Sequence, residues 1–428
     1  MVASTRQRQN SRLRTAFSRY RDAKRTLHTP ASRRSRYGLD WMNFFIADVQ
    51  TGFGTFVAFY LAHLGWSHSK VGLALTAGSL AGVASQIPGG AIADAVTWKR
   101  GLIAAGIVMI GFAALILAAA PSFLLVMLAT VLQGATGGII TPTIGAISLG
   151  LVGRRAMSLR TGRNYRFAAG GHALTAALMG VAGTYIAQSA IFIAAAGLCI
   201  PALIALGFIR PDEIDYAQAR NAAKDRAART ARVIDLTRNR RLVLFTGSLV
   251  LFQLADASML PLVGENLAAA QSARSPLLMA GLIIVPQIVV AVLAPWVGYH
   301  SERRGRRPLL LIGFALEPLR AALLAFATDY GLLVAAQLLN GVTGAIIGVL
   351  TTLVITDLTA GTGRFNLAQG VVGAMMGLAA SLSTLGTGYF FEGFGAVSGF
   401  VAIAVIALAA TGLLWLFLTE TKPAAYED

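Results

Sequence analysis

Twelve long apolar segments constrain the fold of this chain more than any other feature of its sequence. Each approaches the ~20 residues that a helix needs to cross a hydrocarbon core. They are 39–62, 71–93, 101–120, 122–151, 167–187, 189–209, 242–263, 276–299, 308–328, 331–356, 367–391 and 397–418. Only 13% of the 428 residues are charged, whereas about a quarter is usual in a soluble domain. We therefore predict an all-α membrane protein with twelve transmembrane helices.

The basic residues are divided unevenly between the connections. Of the 36 Lys and Arg residues, 33 lie in the two tails or in connections after even-numbered spans. Connections after odd-numbered spans hold only Lys70 and Arg274, and Arg320 lies within span 9. Because cytoplasmic loops are enriched in Lys and Arg, we expect both termini to be cytoplasmic, in a bacterial inner membrane. The net charge of +17 then reflects topology, and we expect no nucleic-acid partner.

A polar segment divides the spans six and six. The expected domains are a basic cytoplasmic tail (1–37), an N-terminal six-helix bundle (38–209), a cytoplasmic linker (210–241), a C-terminal six-helix bundle (242–419) and a C-terminal tail (420–428). Within the first tail, segment 11–27 is either an amphipathic helix on anionic lipid or disordered.

The two halves of the chain repeat one another. Residues 44–48 align with 252–256, and residues 90–94 align with 298–302, both at a shift of 208. An even number of spans per copy gives both copies the same orientation in the membrane. The sequence thus predicts parallel repeats related by an axis along the membrane normal.

The segment 298–307 resembles the cytoplasmic-loop motif of the major facilitator superfamily, namely glycine, three residues, an acid, Arg, any residue, Gly, Arg and a basic residue. The matching positions are Gly298, Glu302, Arg303, Gly305, Arg306 and Arg307. The N-terminal copy keeps Gly90, Asp94 and Lys99 but lacks the first Arg, the Gly and the second Arg. The resemblance implies two pseudo-symmetric six-helix bundles around a cavity, a secondary transporter working by alternating access, and no enzyme activity.

A carboxylate at the end of a helix, followed by basic residues, is suited to gating. It can pair across its loop or with the other bundle in one conformation and separate in the other. The alternative is that the basic residues, Arg100 among them, only anchor the topology. Asp357 and Arg364 flank a Gly-Thr-Gly turn after span 10, which is either a further gate or a capped turn.

Two carboxylates at equivalent repeat positions fall near the middle of the membrane. Asp48 lies 12 residues past Arg36, and Asp256 lies 15 residues past Arg241, or ~18 and ~22 Å at the helical rise. By the resemblance, spans 1 and 7 line the cavity, so we expect the two acids to face each other. Buried acids are costly and usually functional. Each either carries a proton, balances a cationic substrate, or makes a structural hydrogen bond.

Other polar side chains inside the spans are candidates for the same site. Asn43 and Gln50 accompany Asp48, Gln253 accompanies Asp256, Gln133 and Asn340 occupy matched positions in spans 4 and 10, and His172 lies early in span 5. Gln133 and Asn340 bind substrate or bridge helices, and His172 relays protons or packs.

Span 9 carries the pair Glu317 and Arg320. Their spacing of three residues lets them neutralise one another on one helix face, and Pro318 kinks the helix between them. By the resemblance this helix is peripheral, so an internal or interbundle salt bridge is favoured over contact with substrate.

The leading functional hypothesis is proton-coupled export of small organic compounds by a monomer in the lipid bilayer. The alternatives are transport of an organic acid or metal chelate, and a non-transporting membrane protein that binds a ligand or aids assembly. The sequence has no phosphate loop of the form GxxxxGK[ST] and no metal-ligand spacing. We therefore expect no metal and no cofactor, with a proton gradient as the driving force.

Overall fold

The computed structural model describes residues 31–51, 57, 60–61, 64–119, 122–185, 189–222, 233–263, 275–327 and 329–423. The predicted amphipathic segment 11–27 lies outside them. The described chain is helical apart from short connections and forms no β-sheet.

Twelve long helices follow one another along the described chain, one for each predicted span. They are α1 (Arg33–Thr51), α2 (His68–Ala95), α3 (Lys99–Ala119), α4 and α5 (residues 123–152 and 154–185, the two arms of Phe123–Tyr185), α6 (Ala190–Gly207), α7 (Arg240–Asp256), α8 (Ser275–Arg304), α9 (Arg307–Ala325), α10 (Tyr330–Leu358), α11 (Phe365–Phe394) and α12 (Ala396–Phe417). Ten described segments, with α4 and α5 counted as one, are long and apolar enough to cross a membrane. The described part of α1 falls short because its first turns are charged. The predicted all-α fold is confirmed.

The connection predicted between spans 4 and 5 is helical except at one residue. Gly153 has φ 69° and ψ 174°, a conformation that glycine adopts readily because it lacks a Cβ. The two arms then run side by side, since Asn164 Nδ2 of α5 donates to Ser148 Oγ of α4 at 2.8 Å. Residues 154–166 contain no proline to stop the helix, so α5 begins well before the predicted apolar segment.

Polar contacts between helix ends gather on one face of the molecule. The end of α2 contacts the start of α11, the start of α5 contacts the end of α8, and the loop after α8 contacts the end of α10. Residues 208–222 of the linker cover the same ends. We call this side the linker face. Both α1 and α7 start there, as expected for parallel repeats.

Two helix crossings bring the two halves of the chain together near this face. In the first, α2 packs on α11, and in the second, α5 packs on α8. A Cβ at Gly90 would collide with the backbone of Asn366, and a Cβ at Gly298 would collide with the backbone of Ser158. Both motif glycines therefore allow close backbone approach between helices, as small residues do in membrane bundles.

Candidate functional site

A cavity of about 770 Å³ lies between the two halves of the chain. Its walls come mainly from α2, α4 and α11, with Gln253 of α7 and Val57 contributing. The α2–α11 crossing closes it toward the linker face, where Gly370 packs on the backbone of Gln86. Toward the opposite face its walls continue along α2 to Leu75 and along α11 to Ala380. The cavity thus lies on the side of the crossing away from the linker face.

Four glutamines supply most of the hydrogen-bonding capacity of the wall. They are Gln86, Gln133, Gln253 and Gln369. Hydroxyl groups and several glycines lie among them, and no described lining residue is charged. Gln369 Oε1 is buried and accepts no hydrogen bond within the described structure. Such a wall offers donors and acceptors without fixed charge.

The structure places two of the predicted site residues, Gln133 and Gln253, in this wall. The side chains of Asp48 and Gln50 lie outside those that the structure describes, so the predicted facing of Asp48 and Asp256 stays a prediction. The described lining includes neither His172 of α5 nor Asn340, whose Nδ2 donates to Gln337 Oε1 at 3.0 Å. Sequence reasoning missed Gln86 and Gln369, although an amide within an apolar span is the signal that identified Gln133.

Asp256 pairs with the cation of another helix. Its carboxylate accepts a hydrogen bond from Nη1 of Arg320 on α9, and the same Nη1 donates to Glu317 Oε1 at 3.0 Å. Arg320 and Glu317 are fully buried, whereas the Asp256 side chain is 28% exposed. The favoured internal salt bridge of span 9 is therefore present, and it extends to α7, which the sequence did not indicate.

The bend of α9 at Pro318 is stabilised from α12. Proline has no N–H, so the carbonyl oxygen of Phe314 loses its partner within the helix. The hydroxyl of Thr411 donates to that oxygen at 3.0 Å. This contact fixes α9 against α12 six residues before Arg320.

Asn43 belongs to a buried polar network inside the N-terminal half rather than to the described cavity wall. Asp40 of α1 pairs with Arg160 and with Arg163, whose Nε lies 2.9 Å from Asp40 Oδ2. Arg160 Nε donates to Asn164 Oδ1 at 2.7 Å, and Asn43 Nδ2 lies 3.4 Å from the same oxygen. The network joins α1 to α5. The early position of Asp40 in span 1 gave no reason to connect it with these arginines.

Asp94 caps the start of α11. One carboxylate oxygen accepts from Asn366 Nδ2 at 2.7 Å and from the backbone N–H of Asn366 at 3.2 Å, and the other accepts from the N–H of Leu367 at 2.8 Å. The first N–H groups of a helix have no partners within it and favour a negative charge. We call this the N-loop contact, and it joins the two halves of the chain.

Lys99 and Arg100, the basic residues of the N-terminal loop, lie beside this contact. Lys99 is buried, and its Nζ donates to the carbonyl oxygens of Ala93 and, at 3.0 Å, Val96. Lys99 therefore fixes the end of α2 that presents Asp94. Arg100 lines a surface pocket with Tyr216.

The C-terminal loop is organised around Arg306. This buried side chain donates from Nη1 to Glu302 at 3.0 Å and from Nε to Asp357 Oδ2 at 3.2 Å. Glu302 also accepts a hydrogen bond from the hydroxyl of Ser158 on α5. We call Glu302, Arg306, Asp357 and Ser158 the C-loop contact. Of its bonds, that with Ser158 joins the two halves of the chain.

The other predicted residues of the C-terminal loop have separate positions. Gly305 has φ 93° and turns the chain between α8 and α9. Arg303 lies 4.5 Å from the ring centroid of Tyr299, and Arg307 Nη2 donates to the carbonyl of Trp415 at 2.8 Å. Asp357 takes Arg306 as its partner, while Arg364 donates its backbone N–H to Thr362 at 3.2 Å.

The first part of the linker joins both halves at the linker face. On one side, Ser32 N–H donates to Glu213 at 2.9 Å. On the other, Asn221 Nδ2 donates to the carbonyl of Thr356 at 2.7 Å, and Asn366 Nδ2 donates to the carbonyl of Ala219 at 3.0 Å. Asn221 is buried with φ 60°, a region that Asn tolerates. Composition alone marked this segment as polar and gave no sign of these contacts.

This packing stabilises the charged form of Glu213. Burial by itself would raise the pKa of its carboxyl. Hydrogen bonds from Ser32 and Ser35 and the charge of Arg210 outweigh burial and hold that pKa below its ordinary value. The linker is thus attached to the start of α1 by a charged acceptor.

Comparison with known proteins agrees with this architecture. The family model described as Major Facilitator Superfamily matches residues 39–316 and 257–428. The chain belongs to the major facilitator superfamily. It is 34% identical over 390 residues to an uncharacterized MFS-type transporter of Mycobacterium tuberculosis, covering 90% of this chain and 93% of the relative. It is also 37% identical over 97 residues to the class B tetracycline resistance protein of Escherichia coli, covering 23% and 24%.

The family assignment decides between the coarse functional classes. The predicted resemblance is confirmed, and the chain is a multi-pass membrane transporter of this superfamily. The two glycine-containing loops that carried the resemblance lie at the two crossings between the halves of the chain.

Proposed function

We propose that this protein exports small organic compounds from the cytoplasm in exchange for protons, by alternating access. The observation that carries the proposal is a cavity between two halves whose described polar contacts, the N-loop and C-loop contacts, lie on one face. Opening these contacts while closing the far side would expose the same cavity to the linker face. Such rocking around a fixed site is how transporters built from repeats operate.

The direction of the cavity follows from the charge distribution. By sequence, 33 of the 36 basic residues belong to the tails and to the connections that follow even-numbered spans, and the described connections of this set lie at the linker face, which supports a cytoplasmic linker face in a bacterial inner membrane. In that orientation the described α2–α11 crossing closes the cavity toward the cytoplasm. Export is favoured over import by the partial similarity to a protein named for tetracycline resistance.

The chemistry of the cavity wall supports a substrate without net charge. Four glutamines and several hydroxyl groups hydrogen-bond a polar ligand, and the apolar side chains of Leu75 and Met376 contact its carbon skeleton. An organic acid or a metal chelate would need a cation. Arg320, the basic residue within a span, is already paired with two carboxylates. A non-transporting role in assembly gives no reason for a cavity at the crossing of the halves.

Transport by purified protein in liposomes tests the proposal. Under an imposed pH gradient we expect the wild type to move tetracycline or an uncharged glycoside faster than a quaternary ammonium dye. Gln86→Ala and Gln369→Ala should each reduce this flux about tenfold, the result of losing roughly 1.4 kcal/mol of hydrogen bonding. Asp329→Asn is the matched control, because Asp329 only caps α10 and Asn caps equally well. Flux that ignores the pH gradient, or no flux for any of the three probes, would contradict the proposal.

A further inference from the structure

Three charged side chains meet inside the C-terminal half of the chain. Arg320 Nη1 donates both to Asp256 on α7 and to Glu317 one turn earlier on α9. Glu317 and Arg320 have side-chain exposures of 0% and 1%. We call Asp256, Glu317 and Arg320 the α7–α9 triad. The triad is not part of the described cavity wall, although Gln253, one turn before Asp256, is.

The charges of the triad do not balance. Two carboxylates and one guanidinium leave one negative charge when all three are ionised. An uncompensated carboxylate within a membrane is costly. Removing that charge by binding one proton would relieve the cost.

Neighbouring helices provide no second cation within the described structure. α12 has no titratable residue, and α10 has Tyr330 and Asp357 at its two ends. Every titratable group of α8 and of α11 lies in the last six residues of its helix, and the arginines of α7 open that helix at the linker face. The described neighbouring helices therefore do not balance the net negative charge of the triad.

One atom of the triad is placed to hold the proton. Glu317 Oε2 is buried and accepts no hydrogen bond in the described structure. The carboxylates of Asp256 and Glu317 accept from the same Nη1 of Arg320, which brings the two acids together at one nitrogen. The partly exposed edge of Asp256 gives water access to a site that is otherwise closed.

We infer that the α7–α9 triad binds one proton, shared between the carboxyl groups of Glu317 and Asp256. An O–H bond forms on one carboxylate with a proton delivered by water, and Arg320 keeps its charge and its two partners. Loss of the proton restores the unbalanced charge and strengthens the pull of Arg320 on both acids. This inference deepens the proposed function by naming where the coupling proton binds.

Infrared spectroscopy of the purified full-length protein at varied pH tests the inference directly. The wild type should show the carbonyl-stretch band of a protonated carboxylic acid that disappears as pH rises. Glu317→Gln and Asp256→Asn should each lower this band to background, because each leaves one carboxylate balanced by Arg320. The control Asp329→Asn should keep it. Persistence of the titrating band in either triad variant, or its absence from the wild type, would overturn the inference.

Two further measurements keep the test decisive. If Glu317→Gln does not yield folded protein, the band in Asp256→Asn alone decides. Flux driven by a pH gradient, measured on the same preparations, separates the two proposals. If the wild type shows the band but no pH-driven flux, the proposed function is wrong. If pH-driven flux persists in a variant that has lost the band, the triad is not the coupling site.

Discussion

The N-loop and C-loop contacts occupy equivalent positions in the two repeats but hold the molecule together in different ways. Asp94 reaches across to the other half and binds the backbone of α11 directly. Glu302 reaches across to the hydroxyl of Ser158 and also accepts from Arg306 within its own half. The N-terminal repeat lacks the motif arginines, yet Asp94 accepts three hydrogen bonds from the start of α11, because a helix N-terminus supplies positive charge without a basic side chain. The acid of the motif thus joins the two halves directly in the first repeat. In the second repeat it is also held by an arginine of its own half.

Replacing Arg306 should have the largest effect, which should be on stability. It should distinguish stabilisation within the C-terminal half from closure of the linker face. Arg306→Met leaves Asp357 buried and without the cation that is hydrogen-bonded to it, at a cost of up to about 3–5 kcal/mol. We expect a marked fall in the unfolding temperature of the detergent-solubilised protein. The distance between spin labels at the exposed residues Thr97 and Thr362 should stay unchanged in the protein that remains folded. A longer distance with unaltered stability would reverse the roles assigned to the two contacts.

Replacing Asp94 should have an intermediate effect. It should change the equilibrium between closed and open linker faces. Asp94→Asn keeps the size of the side chain but turns an N–H donor toward the donors of α11, which costs about 1–3 kcal/mol. The equilibrium between closed and open linker faces should then shift about 5- to 150-fold toward open. The same spin-label pair should report longer distances. An unchanged distance distribution would show that the α2–α11 crossing closes without the carboxylate.

Acidification should have the smallest effect on stability. It should act through Glu420, which binds the loop of the C-terminal repeat. Burial would raise the pKa of Glu420, but N–H groups of Arg306, Lys422, Arg307 and Thr421 bind its carboxylate and hold the pKa below its ordinary value. Because the pKa of Glu420 is lower in the folded state than in the unfolded state, its carboxylate stabilises the folded protein. This stabilisation is complete above the ordinary carboxyl pKa of about 4.3. It is lost as pH falls through the lowered pKa of the folded state. Comparing the unfolding temperatures of wild type and Glu420→Gln across this pH range tests whether Glu420 loses its stabilising effect as pH falls. The difference between them should shrink as pH falls, and a growing difference would contradict it.

Much of the fold followed from the sequence because membrane insertion leaves few alternatives. A run of about 20 apolar residues must form a helix, since lipid offers no partners for backbone N–H and C=O groups. The motif glycines Gly90 and Gly298 lie where helices of the two halves pack closely. Gly153 escaped notice because a positive φ cannot be read from the letter G, and the basic residues after it suggested a loop.

The candidate site was less predictable because it depends on which helices touch. Gln133 and Gln253 stood out as amides in apolar spans, and both line the cavity. Asn43 had the same signal and lies instead in a network with Asn164, since the signal reports polarity and not the direction in which a side chain points. The contacts of Asn221 and Asp40 join residues more than 100 positions apart, beyond any local pattern.

The sequence by itself determined the helices, their number and the duplication, because hydrophobic length and local spacing are properties of single segments. The tertiary structure alone decided that Asp256 meets Arg320 of α9, that Asp94 caps α11, and that the linker joins both halves. Those pairings depend on the packing of helices distant in sequence. Within a membrane the cost of an unpartnered charge then fixes which polar groups must meet.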